Sequence, residues 1–234
     1  MAAVIAGLRA ITLDLDDTLW PIEPAIARAE IALHDWLARH APAVVQRYDR
    51  IALRALRDRV AEQRPDWAHD FTRIRHHSIG LALADCGHDP ALADAAFEAF
   101  FAARNELLLY EEVEAALTAL ATHYPLMALT NGNADLRLAG VAQHFVGSVS
   151  AREFGVGKPD PRIFHEACRR LGVAPHEVLH VGDDWMLDVE GARAAGLHAA
   201  WLCRTPAAAV RDAEVWTIAH LGELVDRLVP SVTN

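Results

Sequence analysis

The chain has 234 residues, of which 53% are hydrophobic and 23% charged, enough to bury a sizeable core in one domain with an insertion or in two small domains. A formal net charge of −10 argues against general affinity for nucleic acid or an anionic membrane surface and favours small-molecule partners, and nothing calls for an obligate protein partner. Three scattered cysteines, Cys86, Cys168 and Cys203, form no Cys-x-x-Cys pair, which speaks against a disulfide framework or a zinc site and suits a reducing cytoplasm.

The apolar N-terminus through Gly7 has no basic residue ahead of it and is not read as a leader, and no run reaches the roughly 18 apolar residues of a membrane helix. A β-branched and apolar run then ends at Leu13. Asp14, Asp16 and Asp17 follow within four positions, with Thr18 and Trp20 close behind. Like charges this close raise one another's pKa, so carboxylates that stay ionised need a cation beside them. Alternation along an extended segment sends Asp14 and Asp16 to one side, where one can attack while the other moves a proton, and Mg²⁺ favours oxygen ligands. The alternative is an Asp-rich turn capping a helix.

Pro21 and Pro24 stiffen the exit from this strand and read as a hinge. From Ala25 to Glu106 the periodicity is helical. Ile26, Leu33, Trp36 and Leu37 share a face of a first helix, and Val45, Tyr48, Ala52, Ala55 and Leu56 a face of a second. Ile74 and Ile79 belong to a third, and Phe97 and Phe100 to a fourth. Four amphipathic helices can bury a core of their own, so this segment reads as an inserted helical domain. Helix and strand alternate afterwards: strands at Pro125–Leu129, Val146–Ser150, Val178–Val181, His198–Leu202 and Val215–Ile218, and helices at Glu111–His123, Arg162–Leu171, Leu187–Ala195 and Leu221–Val229. Such alternation calls for a parallel sheet covered on both faces.

Ligands of open parallel sheets bind beyond the carboxyl ends of the strands. Asp14, Thr130 and Asp183 each follow a predicted strand, and Lys158 lies on a Gly-x-Gly loop near the same edge. A hydroxyl, a lysine and several carboxylates are what phosphoryl transfer requires.

Asp14-Leu15-Asp16-Asp17-Thr18, Leu129-Thr130-Asn131-Gly132, Gly157-Lys158-Pro159 and Gly182-Asp183-Asp184 with Asp188 resemble, in order, the four motifs of the haloacid dehalogenase superfamily of hydrolases. The resemblance implies a Rossmann-like parallel-sheet α/β core over residues 1–22 and 107–234, with an inserted α-helical bundle cap over residues 23–106. It implies Asp14 as the nucleophile that forms an aspartyl-phosphate. Asp16 would be the acid that protonates the leaving oxygen and then activates water. Thr130 would bond the phosphoryl group, with Asn131 nearby at the substrate, and Lys158 would stabilise charge. Mg²⁺ would be bound by Asp14, the Asp16 carbonyl and Asp183. Asp184 and Asp188 are left between a role through water, a role on Lys158, and helix-start acids favoured by the dipole.

A narrower similarity, including Asp70-Phe71-Thr72-Arg73-Ile74-Arg75 in the cap, is to bacterial phosphatases of flavin mononucleotide and of the phosphorylated ribitylaminouracil intermediate of riboflavin synthesis. It implies a small phosphorylated metabolite as substrate, with Arg73 or Arg75 touching it; two positions apart on a helix, they cannot share a face. The alternatives are a broad sugar-phosphate or nucleotide phosphatase, a 2-haloacid dehalogenase, a sugar phosphomutase, and a binding protein without catalysis. Dehalogenases of this fold need no metal and usually lack an acid at the position of Asp16. Elsewhere, Arg47, Arg50, Arg54 and Arg57 recur at helical spacing, and the favoured reading is a solvated face balanced by Asp49 and Asp58. Trp20 is open between closing over the site and packing at the hinge.

Overall fold

Strand β1 (Ala10–Leu13) is buried at all four positions, as an unbroken apolar run must be when both faces of a sheet are covered. In the computed structural model, which describes residues 5–204, 212 and 214–229, the chain forms two compact units, Met1–Pro21 with Leu108–Gly132 and Gly140–Asn234, and Ile22–Leu107 with Asn133–Ala139. The first four residues of the apolar N-terminal stretch lie outside the described residues.

The helical unit begins with α1 (Ile22–His40), followed by α2 (Pro42–Arg47), α3 (Arg50–Gln63), α4 (Phe71–Asp85) and α5 (Ala93–Arg104). Leu33 and Leu37 of α1, Ile79 and Leu83 of α4, and Phe97 and Phe100 of α5 share its core. Pro24 falls inside the first turn of α1, where its missing N–H has no intrahelical acceptor to lose. The single helix expected over Val45–Leu56 is two helices. Tyr48 is extended, and Asp49 starts α3 by accepting the Ala52 N–H at 2.7 Å. The expected arginine stripe is partly neutralised by other helices as well as locally: Arg54 pairs with Glu30, Arg47 with Asp85, and Arg57 with Asp58. Residues 133–139 follow a strand yet pack with the helices. Arg104 Nε donates to Asn133 Oδ1 at 3.0 Å, and Asn133 Nδ2 donates to Thr72 Oγ1 at 3.1 Å.

The other unit continues with α6 (Val113–Ala121), β2 (Leu126–Thr130), β3 (Gly147–Ser150), α7 (Ala151–Phe154), α8 (Pro161–Leu171) and β4 (Val178–Gly182). After a π-helical turn come α9 (Gly191–Ala194), β5 (His198–Leu202), β6 (Trp216–Ile218) and α10 (Leu221–Leu228). The six strands among the described residues are parallel, in the order β3-β2-β1-β4-β5-β6, which is the expected Rossmann-like α/β arrangement. β1 stands between β2 and β4, with Thr12 paired to Met127 on one side and His180 on the other. Strand order reverses at β1, so the loops after β1 and β4 open the crevice where such sheets bind ligands. One face of the sheet is packed by Leu129, Val149, Ile163, Phe164, Val189 and Trp201. Helix α8 shows why the local sequence folds as it does: Asp160 caps the Arg162 N–H at 2.9 Å, Pro161 fills the first helical position, and Gly172 ends the helix at φ 69°. No described helix is long and apolar enough to cross a membrane.

Candidate active site

Asp14 leaves β1 with its backbone N–H donating to Val181 of β4 at 2.9 Å, so the sheet itself aims it. Lys158 reaches the same point from the loop before α8. Its ammonium is buried and donates to Asp14 Oδ1 at 2.5 Å and to Asp188 Oδ1 at 2.6 Å. Asp188 also accepts His180 Nε2 at 3.1 Å and, on Oδ2, the Asp184 N–H at 3.0 Å. His180 Nδ1 in turn stands 2.8 Å from the Thr12 hydroxyl. A buried chain of bonds therefore runs from Thr12 through His180, Asp188 and Lys158 to the Asp14 carboxylate. Of the roles left open for the last motif, Asp188 takes the one on Lys158. Asp184 caps the turn after β4, accepting the Met186 and Leu187 N–H groups at 2.8 and 2.9 Å.

Burial opposes charge on Lys158, but the attraction of Asp14 and Asp188 outweighs it and holds the ammonium above its ordinary range. Burial likewise works against the Asp188 carboxylate, and Lys158 and His180 more than offset it, leaving Asp188 ionised and well below the usual carboxylate value. One ammonium cannot do the same for both neighbours. Burial pushes Asp14 well above its ordinary value, with repulsion from Asp188 adding to it against the attraction of Lys158. Asp183 is pushed up to about 7 by burial first, then by repulsion from Asp188 and Asp17.

Carboxylate oxygens of Asp14, Asp183 and Asp188 lie within 4.8 Å of one another. This cluster is short of positive charge, which is the condition a hard cation relieves, and all the side chains involved are oxygen donors. Asp188 already serves Lys158, His180 and the Asp184 amide, so Asp14 and Asp183 are the carboxylates suited to a cation. The Asp183 loop is itself fixed, since the Trp201 indole N–H donates to the Asp183 carbonyl at 2.7 Å.

Thr130 ends β2 and is buried; its Oγ1 accepts the Gly132 N–H at 2.9 Å, so its own hydrogen can be donated onward. The Asn131 amide engages the Lys158 peptide at both ends, donating to the carbonyl at 2.9 Å and accepting the N–H at 2.7 Å. Asn131 thus positions the lysine loop, a task beyond the substrate contact expected of it. Asp16 lies beside Gly132, where a Cβ would collide with its carboxylate; a Cβ at Gly182 would collide with Asp188 in the same way. The other Asp16 oxygen, Oδ1, accepts the Trp20 indole N–H at 2.8 Å. Asp17 between them adopts φ 59°, which Asp tolerates better than most residues, and its N–H closes the loop onto the Trp20 carbonyl at 2.8 Å.

One unit therefore gathers Asp14, Asp16, Thr130, Asn131, Lys158 and Asp183. The two arginines expected at the substrate belong to α4 of the other unit and differ in setting. Arg73 is exposed, its guanidinium 4.1 Å from the Trp67 ring centroid, whereas Arg75 is buried 3.9 Å over Phe100. The contacts of Asn133 and the hydrogen bond of Trp20 have no signal in the residue pattern. His180 carried a faint signal as a titratable residue inside an apolar strand.

A family model of haloacid dehalogenase-like hydrolases matches residues 8–196. The chain is 36% identical over 202 residues to the 5-amino-6-(5-phospho-D-ribitylamino)uracil phosphatase YigB of Escherichia coli, covering 85% of this chain and 84% of that protein. It is 42% identical over 144 residues to a phosphoserine phosphatase of Thermus thermophilus, covering 59% and 57%. Among solved structures, a 2-haloacid dehalogenase from Pseudomonas syringae pv. Tomato superposes with a TM-score of 0.87 at 38% identity, covering 94% of this chain and 97% of that one. A matching core, motifs in order and a family match across most of the length agree: the chain belongs to the haloacid dehalogenase-like hydrolases and is an enzyme.

Proposed function

We propose that the protein is a Mg²⁺-dependent phosphomonoesterase that works through a phosphorylated Asp14, with flavin mononucleotide or the phosphoribitylaminouracil intermediate of riboflavin synthesis as substrate. The observation that carries this reading is the buried Asp14–Lys158–Asp188 triad beside Asp183, a nucleophile in a cluster short of positive charge. Similarity to the Escherichia coli phosphatase over most of both chains supports the substrate class.

In this reading an Asp14 oxygen attacks phosphorus while Asp16 gives its proton to the leaving oxygen. Asp16 then takes a proton from the water that releases phosphate from Asp14. Lys158 offsets charge on Asp14 and on the phosphoryl group, and the Thr130 hydroxyl donates to a phosphoryl oxygen. Asp14, Asp183 and the Asp16 carbonyl would hold Mg²⁺, which supplies Lewis-acid polarisation and neutralises charge at the phosphoryl oxygens. Arg73, an exposed residue, is assigned to substrate recognition ahead of the buried Arg75.

The similarity to a 2-haloacid dehalogenase structure favours a second reading, carbon–halogen hydrolysis. An acid at Asp16 and the Asp183 and Asp184 pair weigh against it. Phosphate release from a panel of phosphorylated metabolites, with Mg²⁺ and with excess chelator, tests the proposal alongside halide release from 2-chloropropionate. Phosphate release that needs the metal is expected; metal-independent halide release without phosphatase activity would overturn it.

A further inference from the structure

Trp20 is completely buried, yet its indole N–H is aimed at a carboxylate. Burial alone needs no donor, and phenylalanine or leucine would serve for it. The donor here meets Asp16 Oδ1 at 2.8 Å, inside one short loop whose ends are joined by backbone pairing of Asp16 with Trp20. That loop is held on every side. Leu19 N–H donates to the Leu15 carbonyl and Asp17 N–H to the Trp20 carbonyl, both at 2.8 Å. Arg204 donates to the Thr18 carbonyl at 2.8 Å while paired with Glu112 at 2.8 Å and stacked 3.6 Å from the Tyr110 centroid. A donor mounted on a fixed loop sets the rotation of the carboxylate that receives it.

We propose that Trp20 is a positioning residue for proton transfer: its indole N–H locks the Asp16 carboxylate in the orientation from which it protonates the leaving oxygen and later deprotonates water. The proposal rests on the phosphatase reading of the site. In the first step the bond from Asp14 oxygen to phosphorus forms, the bond from phosphorus to the leaving oxygen breaks, and the Asp16 proton goes to that oxygen. In the second, water oxygen bonds to phosphorus, its proton returns to Asp16, and the bond to Asp14 breaks. Misorientation of a general acid matters in proportion to how much the leaving group needs the proton. An alkoxide needs it; 4-nitrophenolate does not.

The test is kcat/KM, which reports the first step, for flavin mononucleotide and 4-nitrophenyl phosphate on the full chain with Mg²⁺. The proteins are the wild type, Trp20→Phe and Asp16→Asn. A further variant carries 3-benzothienylalanine at position 20, where sulfur replaces the N–H without changing ring shape. Both position-20 variants should lose about 10- to 100-fold on the alkyl ester and less than about 3-fold on the aryl ester. Asp16→Asn should show the same asymmetry, larger. If Trp20→Phe does not fold, as judged by circular dichroism, the isosteric variant decides. Equal losses on both esters, or none, in the folded position-20 variants would overturn the role of Trp20 while leaving the phosphatase reading intact. Full alkyl-ester activity in Asp16→Asn would overturn the acid–base assignment, and with it that of Trp20. A wild-type protein that cleaves neither ester would overturn the phosphatase reading itself.

Discussion

Asp14 shares one buried ammonium with Asp188, and the shortage of positive charge this leaves is the main physical fact about the site. Asp14→Asn keeps the shape but removes the proposed nucleophile, and phosphate release should fall below about a thousandth of wild type. Retained turnover, with deamidation excluded by mass spectrometry, would contradict the assignment. Asp183 supplies a pH test. Its folded-state value of about 7 lies above the ordinary 3.8, so the metal-free folded protein keeps a proton that the unfolded chain releases. That contribution to stability is complete below the ordinary value and is lost as pH rises toward 7. A cation takes over the proton's task, so the Tm gain on adding Mg²⁺ should be larger near pH 8 than near pH 5.5. Equal gains at both would remove Asp183 from the metal site. The gathering of Asp14, Thr130, Lys158 and Asp183 at one sheet edge is legible in the sequence because each ends or follows a strand or lies on a glycine loop, while the roles proposed for them, and for Asp16, rest on the family resemblance. The uses of Trp20, Asn131 and His180 are not legible, because each depends on a single side-chain bond made across the fold.

The sequence reading of β4, β5 and α8 matches the structure to within a residue, α8 beginning one position early at Pro161 behind the Asp160 cap, whereas the helix expected over Leu187–Ala195 is a π-helical turn, Trp185–Glu190, followed by the short α9. The break between α2 and α3 was missed because apolar spacing runs on through Tyr48 and hides the cap at Asp49. That cap gives a stability test: Asp49→Ala should cost about 1 kcal/mol, read as a lower Tm or denaturation midpoint, with little change in turnover of a small aryl phosphate. No loss of stability would mean that α3 is held by packing alone. Membership of residues 133–139 in the helical unit had no local signal, since it rests on Asn133 meeting Thr72 and Arg104, distant in sequence.

At the scale of the molecule, the α/β unit carries Asp14, Thr130, Lys158 and Asp183, and the proposed function assigns discrimination among leaving groups to the helical unit of 22–107 and 133–139. Arg73→Ala should lower kcat/KM for flavin mononucleotide by the equivalent of about 1–3 kcal/mol and leave a small aryl phosphate nearly unchanged. Arg75→Ala should instead lower stability, because its guanidinium packs over Phe100. Equal losses on both substrates for Arg73→Ala would move substrate selection elsewhere. The central claim is the covalent phosphoryl-enzyme at Asp14, and acid quenching during turnover of flavin mononucleotide with Mg²⁺, followed by peptide mass spectrometry, addresses it most directly. The expected result is a phosphoryl adduct on the peptide containing Asp14, absent from Asp14→Asn and absent in excess chelator; an adduct on another residue, or one that forms equally well without metal, would contradict the account.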